Sequence, residues 1–367
     1  HGRGGRGSTP GRGPGVSDIP EADRAGEAPH PRETARLFGQ SAAEATFLDA
    51  WNTGRLHHGW LLTGARGVGK ATLAWRIARF LLTDPPAQAD TLDAPPGHAA
   101  LPRIRALSEP SLMLIRRPWD EKAKKLKTQI TVDEVRRLGS FFGLSAGGRR
   151  VVIVDPADEL NPSAANAILK LLEEPPAKAT LLLISHRPAR LLPTIRSRCR
   201  VLRLAPLDPD ALEAAVVQAG GHPAAANPLA EGSVGAALEL ADGGADTYEA
   251  LVNLLSKPQM DRARARAMAD ACAGKAGAAR LDATVTAIAR LLHRAARTGL
   301  LGPPPDAPDA EVRTLTRLAP HDAAARVWAR LAQDIGDRVA HARAVNVDPA
   351  AIVWDALARI DAQARQI

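Results

Sequence analysis

The stretch Trp60-Leu-Leu-Thr63 runs straight into Gly64-Ala-Arg-Gly-Val-Gly-Lys70, and Ala71-Thr72 then opens a helical pattern that reaches Leu82. A short apolar run, a glycine-rich turn ending in lysine and a helix form the strand–loop–helix setting of a phosphate-binding loop. Glycines let successive backbone N–H groups curl around phosphate oxygens, and the helix N-terminus adds positive potential. Gly64, Gly67 and Gly69 therefore form the cradle, and Lys70 is placed to reach the outer phosphates. The next residue in such a loop is normally Ser or Thr, whose hydroxyl holds Mg²⁺. Here it is Ala71. Thr72 is one helical step further, about 100° around the axis, and its hydroxyl is expected to point away from the metal.

Outward from this loop, apolar runs at 112–115, 151–154, 181–184 and 201–204 are each followed by helix-like sequence. Strands alternating with helices imply a parallel sheet covered on both faces, an α/β core. Phe47, Leu48 and Trp51 recur at helical spacing ahead of the loop. Six prolines break residues 84–110, which read as a loop or a decorated crossover. After Pro206 the strand signals fade: 207–245 read as a few short helices, and 246–367 as helices only. Asp348-Pro349 marks the start of the last one, a capping acid followed by proline in the first turn. Gly302-Pro-Pro-Pro305 divides that helical set. Residues 1–30, rich in Gly, Arg and Pro and without apolar periodicity, are expected to be a disordered tail.

The run ending at Asp155 repeats the logic of the loop. Val151-Val-Ile-Val-Asp155 is an apolar strand closing on an acid that could meet Mg²⁺ through water, yet the following position, where a water-activating Glu would stand, is Pro156. Asp158 and Glu159 read as surface charge or local caps. The loop can hold ATP or ADP, but it lacks the groups to cleave it. His57 and His58 are expected to pack or bond locally. The lysines of 122–127 read as a solvated loop rather than a phosphate contact.

Composition narrows the class. The 367 residues are 45% apolar and only 3% aromatic, which favours helix-rich structure. No run approaches the ~20 apolar residues of a membrane span, so no membrane partner is expected. Cys199 and Cys272 are the two cysteines of the chain. They are too few for a four-cysteine zinc site or a disulfide framework, so no zinc is expected and a reducing cytoplasm fits. The net charge of +8 suits a nucleic-acid partner, but an Arg- and Ala-rich composition accounts for it equally well.

At this point the sequence resembles the AAA+ clamp-loader family of bacterial DNA polymerase III, and within it the delta-prime branch. The residues that carry the likeness are Arg55–Leu62 ahead of the loop, Ile130–Arg136, the run Asn166-Ala-Ile-Leu-Lys-Leu-Leu-Glu-Glu-Pro175, and Ile195-Arg-Ser197-Arg198-Cys199. Val154-Asp-Pro-Ala-Asp158 looks like the delta-prime pattern. The likeness implies an AAA+ core over 31–205, a small helical lid over 206–245, and an all-helical oligomerisation collar over 246–367. It further implies a subunit that does not hydrolyse ATP, set in a five-membered ring with gamma/tau and delta subunits. That ring places a sliding clamp on primed DNA as a component of the DNA-directed DNA polymerase holoenzyme. In the Ser-Arg-Cys motif of Ser197, Arg198 and Cys199, the family supplies Arg198 as an arginine finger to the neighbour's ATP. Gly232-Ser-Val-Gly235 resembles the segment where ATPase members carry a phosphate-sensing Arg, which here is Gly235. Two other readings stay open: an active gamma/tau-type ATPase, against which Ala71 and Pro156 stand, and a P-loop nucleotide kinase, which would have no use for a collar.

Overall fold

The computed structural model describes residues 20–24, 28–143, 148–274 and 277–367. The chain divides into two compact units, His1–Ala205 and Pro206–Ile367.

Among the described residues of the first unit, the main sheet has five parallel strands. They are β1 (Gly59–Thr63), β2 (Leu112–Ile115), β5 (Arg150–Val154), β6 (Ala179–Ser185) and β7 (Arg200–Arg203), in the order β2-β5-β6-β1-β7. All five expected strands are present; β2 has the expected bounds, and no end of the others is displaced by more than two residues. The alternation of side chains explains why these runs are apolar throughout. Trp60 and Leu62, with Ile153 and Leu182, enter a core shared with the helices Ser41–Asn52 and Lys70–Leu81. Leu61, Val152, Val154 and Leu183 point the other way, into a core shared with Val132–Gly143 and Pro162–Glu173. Strands buried on both faces cannot show the apolar–polar alternation of a half-exposed strand. β2 is an edge strand, and its first three residues are half-buried.

Two expectations change. The lysine run 122–127, read as a solvated loop, falls in an antiparallel hairpin of β3 (Trp119–Asp120) and β4 (Lys125–Leu126). The Asp120 carboxylate accepts the backbone N–H groups of Lys122 and Ala123, both at 2.9 Å, and so closes the turn. Lys122, Lys124, Lys125 and Lys127 are exposed on it. Of the stretch expected to be a disordered tail, residues 1–19 and 25–27 lie outside the described residues. Glu21, Asp23 and His30, by contrast, are tied to the folded core by ion pairs. His57 and His58 bond locally as expected: the His57 ring nitrogen accepts from Gly59 N–H at 3.0 Å, and His58 Nε2 meets the Leu172 carbonyl at 2.9 Å.

The second unit is helical among its described residues. The helices Ala278–Leu301 and Asp322–Ala344 are its longest, and Pro349–Ala364 joins them around a core that includes Leu291, Leu315, Trp328 and Leu357. Asp348 caps the last helix, its carboxylate accepting Ala351 N–H at 3.2 Å with Pro349 in the first turn. Arg294, Glu311 and Tyr248 form a buried polar cluster: Arg294 Nε and the Tyr248 hydroxyl both donate to Glu311 Oε1 at 2.6 Å, and Arg294 also reaches Glu231 at 3.2 Å. Among the described residues, no helix is long and apolar enough to cross a membrane.

Candidate functional site

The phosphate loop lies at the carboxyl end of β1, where ligands of open α/β sheets collect. Gly64 (φ +145°) and Gly69 (φ +101°) adopt backbone conformations that a side chain would strain. A Cβ at Gly64 would stand 2.5 Å from the Leu204 carbonyl oxygen. Lys70 opens the helix Lys70–Leu81 but is folded back on the loop: its ammonium donates to the carbonyls of Gly64, at 2.8 Å, and Ala65. It is 3% exposed. Burial draws its pKa down to about 8, against the pull of Asp155 and Asp158. The methyl of Ala71 packs against the apolar core, so the residue that should carry a metal-binding hydroxyl faces hydrocarbon instead.

Asp155 follows β5, and its N–H donates to the Ile115 carbonyl at 2.9 Å. It is buried and precedes Pro156 through a cis peptide bond. Burial, and after it the neighbouring Asp23, raise its pKa to about 8, with Lys70 opposing. Asp155 thus holds a proton at neutral pH unless a cation arrives. Replacing it with Asn should raise the melting temperature of the chain at pH 8 and leave it unchanged near pH 4. The sign follows from linkage: a carboxyl that ionises near 3.8 when unfolded and near 8 when folded contributes stability that is full below about pH 4 and is lost as pH climbs toward 8. The amide escapes that loss, on the order of 1 kcal/mol or more at pH 8. Equal shifts at both pH values would contradict this account.

Asp158 and Glu159, expected to be solvated charges or local caps, are engaged elsewhere. Asp158 accepts the Ser185 hydroxyl at 2.6 Å and His186 N–H at 2.5 Å, which ties β6 to the turn after β5. Glu159 pairs with Arg117 at 2.7 Å. Neither is a free base for water. His186, which sequence reading passed over, stands at the end of β6. Burial and then Lys70 push its pKa down to about 4, so the ring is neutral. The signal available for it was position alone, one residue past an apolar strand at the sheet's carboxyl edge.

Arg198 ends the short helix Pro193–Ser197. One guanidinium nitrogen contacts Glu173 at 2.9 Å and another donates to the Thr194 carbonyl at 3.2 Å. The structure therefore joins two motifs far apart in sequence, the Glu-Glu-Pro end of 166–175 and the Ser-Arg-Cys of 197–199. Ser197 bonds back to Thr194 at 3.1 Å. Cys199 packs against the core, and burial raises its thiol to about 12, so it remains protonated. In the second unit, Gly235 sits in the first turn of Val234–Glu239, a helix capped by Ser233 at 3.1 Å.

A strand, β6, inserted between the phosphate-loop strand β1 and the acidic strand β5, with helices on both faces, defines a P-loop core of the AAA+ class. Residues 39–208 match the family model described as DNA polymerase III, delta subunit. Over this region the chain is similar to the delta-prime subunits of bacterial DNA polymerase III. It is 39% identical over 190 residues to DNA polymerase III subunit delta' of Pseudomonas aeruginosa, covering 47% of this chain and 55% of that one. To the subunit of the same name from Escherichia coli K12 it is 33% identical over 200 residues, covering 50% and 57%. The matched region is thus little more than half the length of these relatives. Subunit tau of Escherichia coli K12 is similar at 29% identity, covering 48% of this chain and 26% of that one. The solved structures are more distant: a gamma-subunit-related protein of Thermotoga maritima shares 18% identity at a TM-score of 0.34, covering 87% of this chain and 100% of that one.

Proposed function

We propose that this chain is a non-hydrolysing subunit of a clamp loader, working beside gamma/tau and delta subunits to place a sliding clamp on primed DNA, and that it lends Arg198 to the ATP of a neighbouring subunit. The observation that carries the reading is the state of its own site. The loop keeps Lys70 and the sheet keeps Asp155, but position 71 faces the core and position 156 has no base. The nearby acids Asp158 and Glu159 are already held by β6 and Arg117. ATP or ADP bound here would stay intact, a structural ligand rather than a substrate. Arg198, its side chain solvent-accessible beside Glu173, is at a surface that a second subunit can meet.

Two measurements test this. Affinity purification of the chain from its cell should bring down the other loader subunits, and the assembly should show clamp- and DNA-stimulated ATPase activity. The isolated chain with Mg²⁺ should show no turnover above background, and Ala71→Thr should not create any. That substitution returns a metal ligand while leaving position 156 without a carboxylate. Turnover in the Ala71→Thr protein, abolished by a further Lys70→Ala, would show that Asp158 or Glu159 acts as a base.

A further inference from the structure

The end of β2 beside Asp155 is held by a segment from earlier in the chain. Asp23 is fully enclosed: its carboxylate meets His30 Nε2 at 3.0 Å and pairs with Arg116. Glu21 accepts from Arg32 at 2.6 Å and from Arg116 at 3.2 Å. Arg116 is the first residue beyond β2, and Ile115 before it is in register with Val154 and accepts Asp155 N–H. The arginine that gathers both acids therefore stands at the sheet edge next to Asp155. The acids are anchored to the helix of the phosphate loop as well. The His30 ring lies edge-on to Trp75, with ring centres 5.8 Å apart, and Arg79 donates to the carbonyls of Arg32 at 2.9 Å and Thr34 at 3.2 Å.

An enclosed carboxylate, Asp23, and a half-buried one, Glu21, already use the cations of this corner, leaving none of them to pair with a further anion. A nucleotide held by Lys70 brings its outer phosphates and their metal toward Asp155, and buried charge is tolerated only where it is paired. We infer that the carboxylates of Glu21 and Asp23, clasped by Arg116 and His30, are a built-in cover on the metal end of the phosphate loop, and that a nucleoside triphosphate enters only when they are displaced. This rests on the reading that the loop can hold nucleotide without cleaving it. The occupant that competes for the site is thus a segment of the same chain, and the ligand it excludes is a polyanion with its cation.

The test uses the full chain and a fluorescent N-methylanthraniloyl ATP with Mg²⁺. The double variant Glu21→Gln/Asp23→Asn removes the anions and keeps their shapes. Arg116→Gln removes the clasp from the other side. Each should bind the probe at least about tenfold more tightly than the parent chain, and adding Lys70→Ala should abolish the gain. Hydrogen exchange over residues 112–120 should rise in both variants. The inference is overturned if neither variant gains affinity, if the gain survives Lys70→Ala, or if exchange over 112–120 is unchanged. ATP turnover followed in the same samples reports separately on the non-hydrolysing reading: its appearance would sink that reading and leave the cover standing.

Discussion

Arg198→Ala, introduced into the clamp loader proposed above, is expected to lower clamp- and DNA-stimulated ATP hydrolysis while leaving the fold of this chain unchanged. An arginine supplied in trans is worth roughly 10³–10⁵ in rate at the site it serves. In the proposed ring, whose other sites would keep their own arginines, the total should fall only partially, while the served site becomes silent in single-turnover measurement. The fold should tolerate the change because the Arg198–Glu173 pair is exposed on both sides, 38% and 41%, and such pairs contribute about 0–1 kcal/mol. Arg198→Lys should restore little, since an ammonium lacks the planar, two-pronged donor geometry of a guanidinium. Glu173→Gln supplies a second arm: if Glu173 holds Arg198 ready, its loss should reduce stimulated turnover less than Arg198→Ala does and should leave the melting temperature alone. Arg196 and Arg200, both exposed, serve as controls for simple basic charge. Equal losses from Arg196→Ala, Arg198→Ala and Arg200→Ala would remove the finger assignment.

The largest expected effect on stability lies in the other unit. Arg294→Ala strips the cation from a cluster in which Glu311 is almost wholly enclosed, with side-chain exposures of 5% and 6% for the two partners. Glu311 would keep the Tyr248 hydroxyl as a donor but lose its counter-charge, and Glu231 would lose a partner at 3.2 Å. Breaking a buried pair from one side costs about 3–5 kcal/mol. For a unit of this size that corresponds to a fall of roughly 6–20 °C in its melting temperature. Hydrogen exchange along Ala278–Leu301 and Asp309–Leu318 should rise together, because Arg294 and Glu311 sit on those two helices. Arg294→Met combined with Glu311→Leu should recover much of the loss, since an apolar pair leaves no orphaned charge. A single Arg294→Ala change with a melting temperature within 2 °C of the parent chain, a margin set by roughly 1 kcal/mol in a unit of this size, would show that the cluster adds nothing net.

The elements that sequence reading found share one property: their signal is local. Each of β1, β5 and β6 is built on an apolar run of three or four residues, because it is buried on both faces, and such a run is visible without knowing its neighbours. The hairpin of β3 and β4 was not visible because each strand is two residues long and its turn is closed by Asp120 rather than by a glycine pair. The Lys-rich composition of that turn pointed instead to a solvated loop.

The candidate site divides in the same way. That position 71 has no hydroxyl, position 156 no carboxylate and position 235 no guanidinium can be read from the order of residues, because a missing functional group is a covalent fact that folding cannot repair in place. Which other groups could stand in for them is a different matter. Asp158 is withdrawn by Ser185 and His186, Glu159 by Arg117, and Arg198 is held by Glu173. Asp23 comes to rest against Arg116, 93 residues away. A carboxylate's partner, and with it the proton it keeps or sheds, is set by whichever charges and dipoles the sheet order carries within a few ångströms. Ion pairing falls off with distance through space and is indifferent to separation along the chain, so the deletions are written in the sequence, and the assignments of the charges that remain are made only by the tertiary fold.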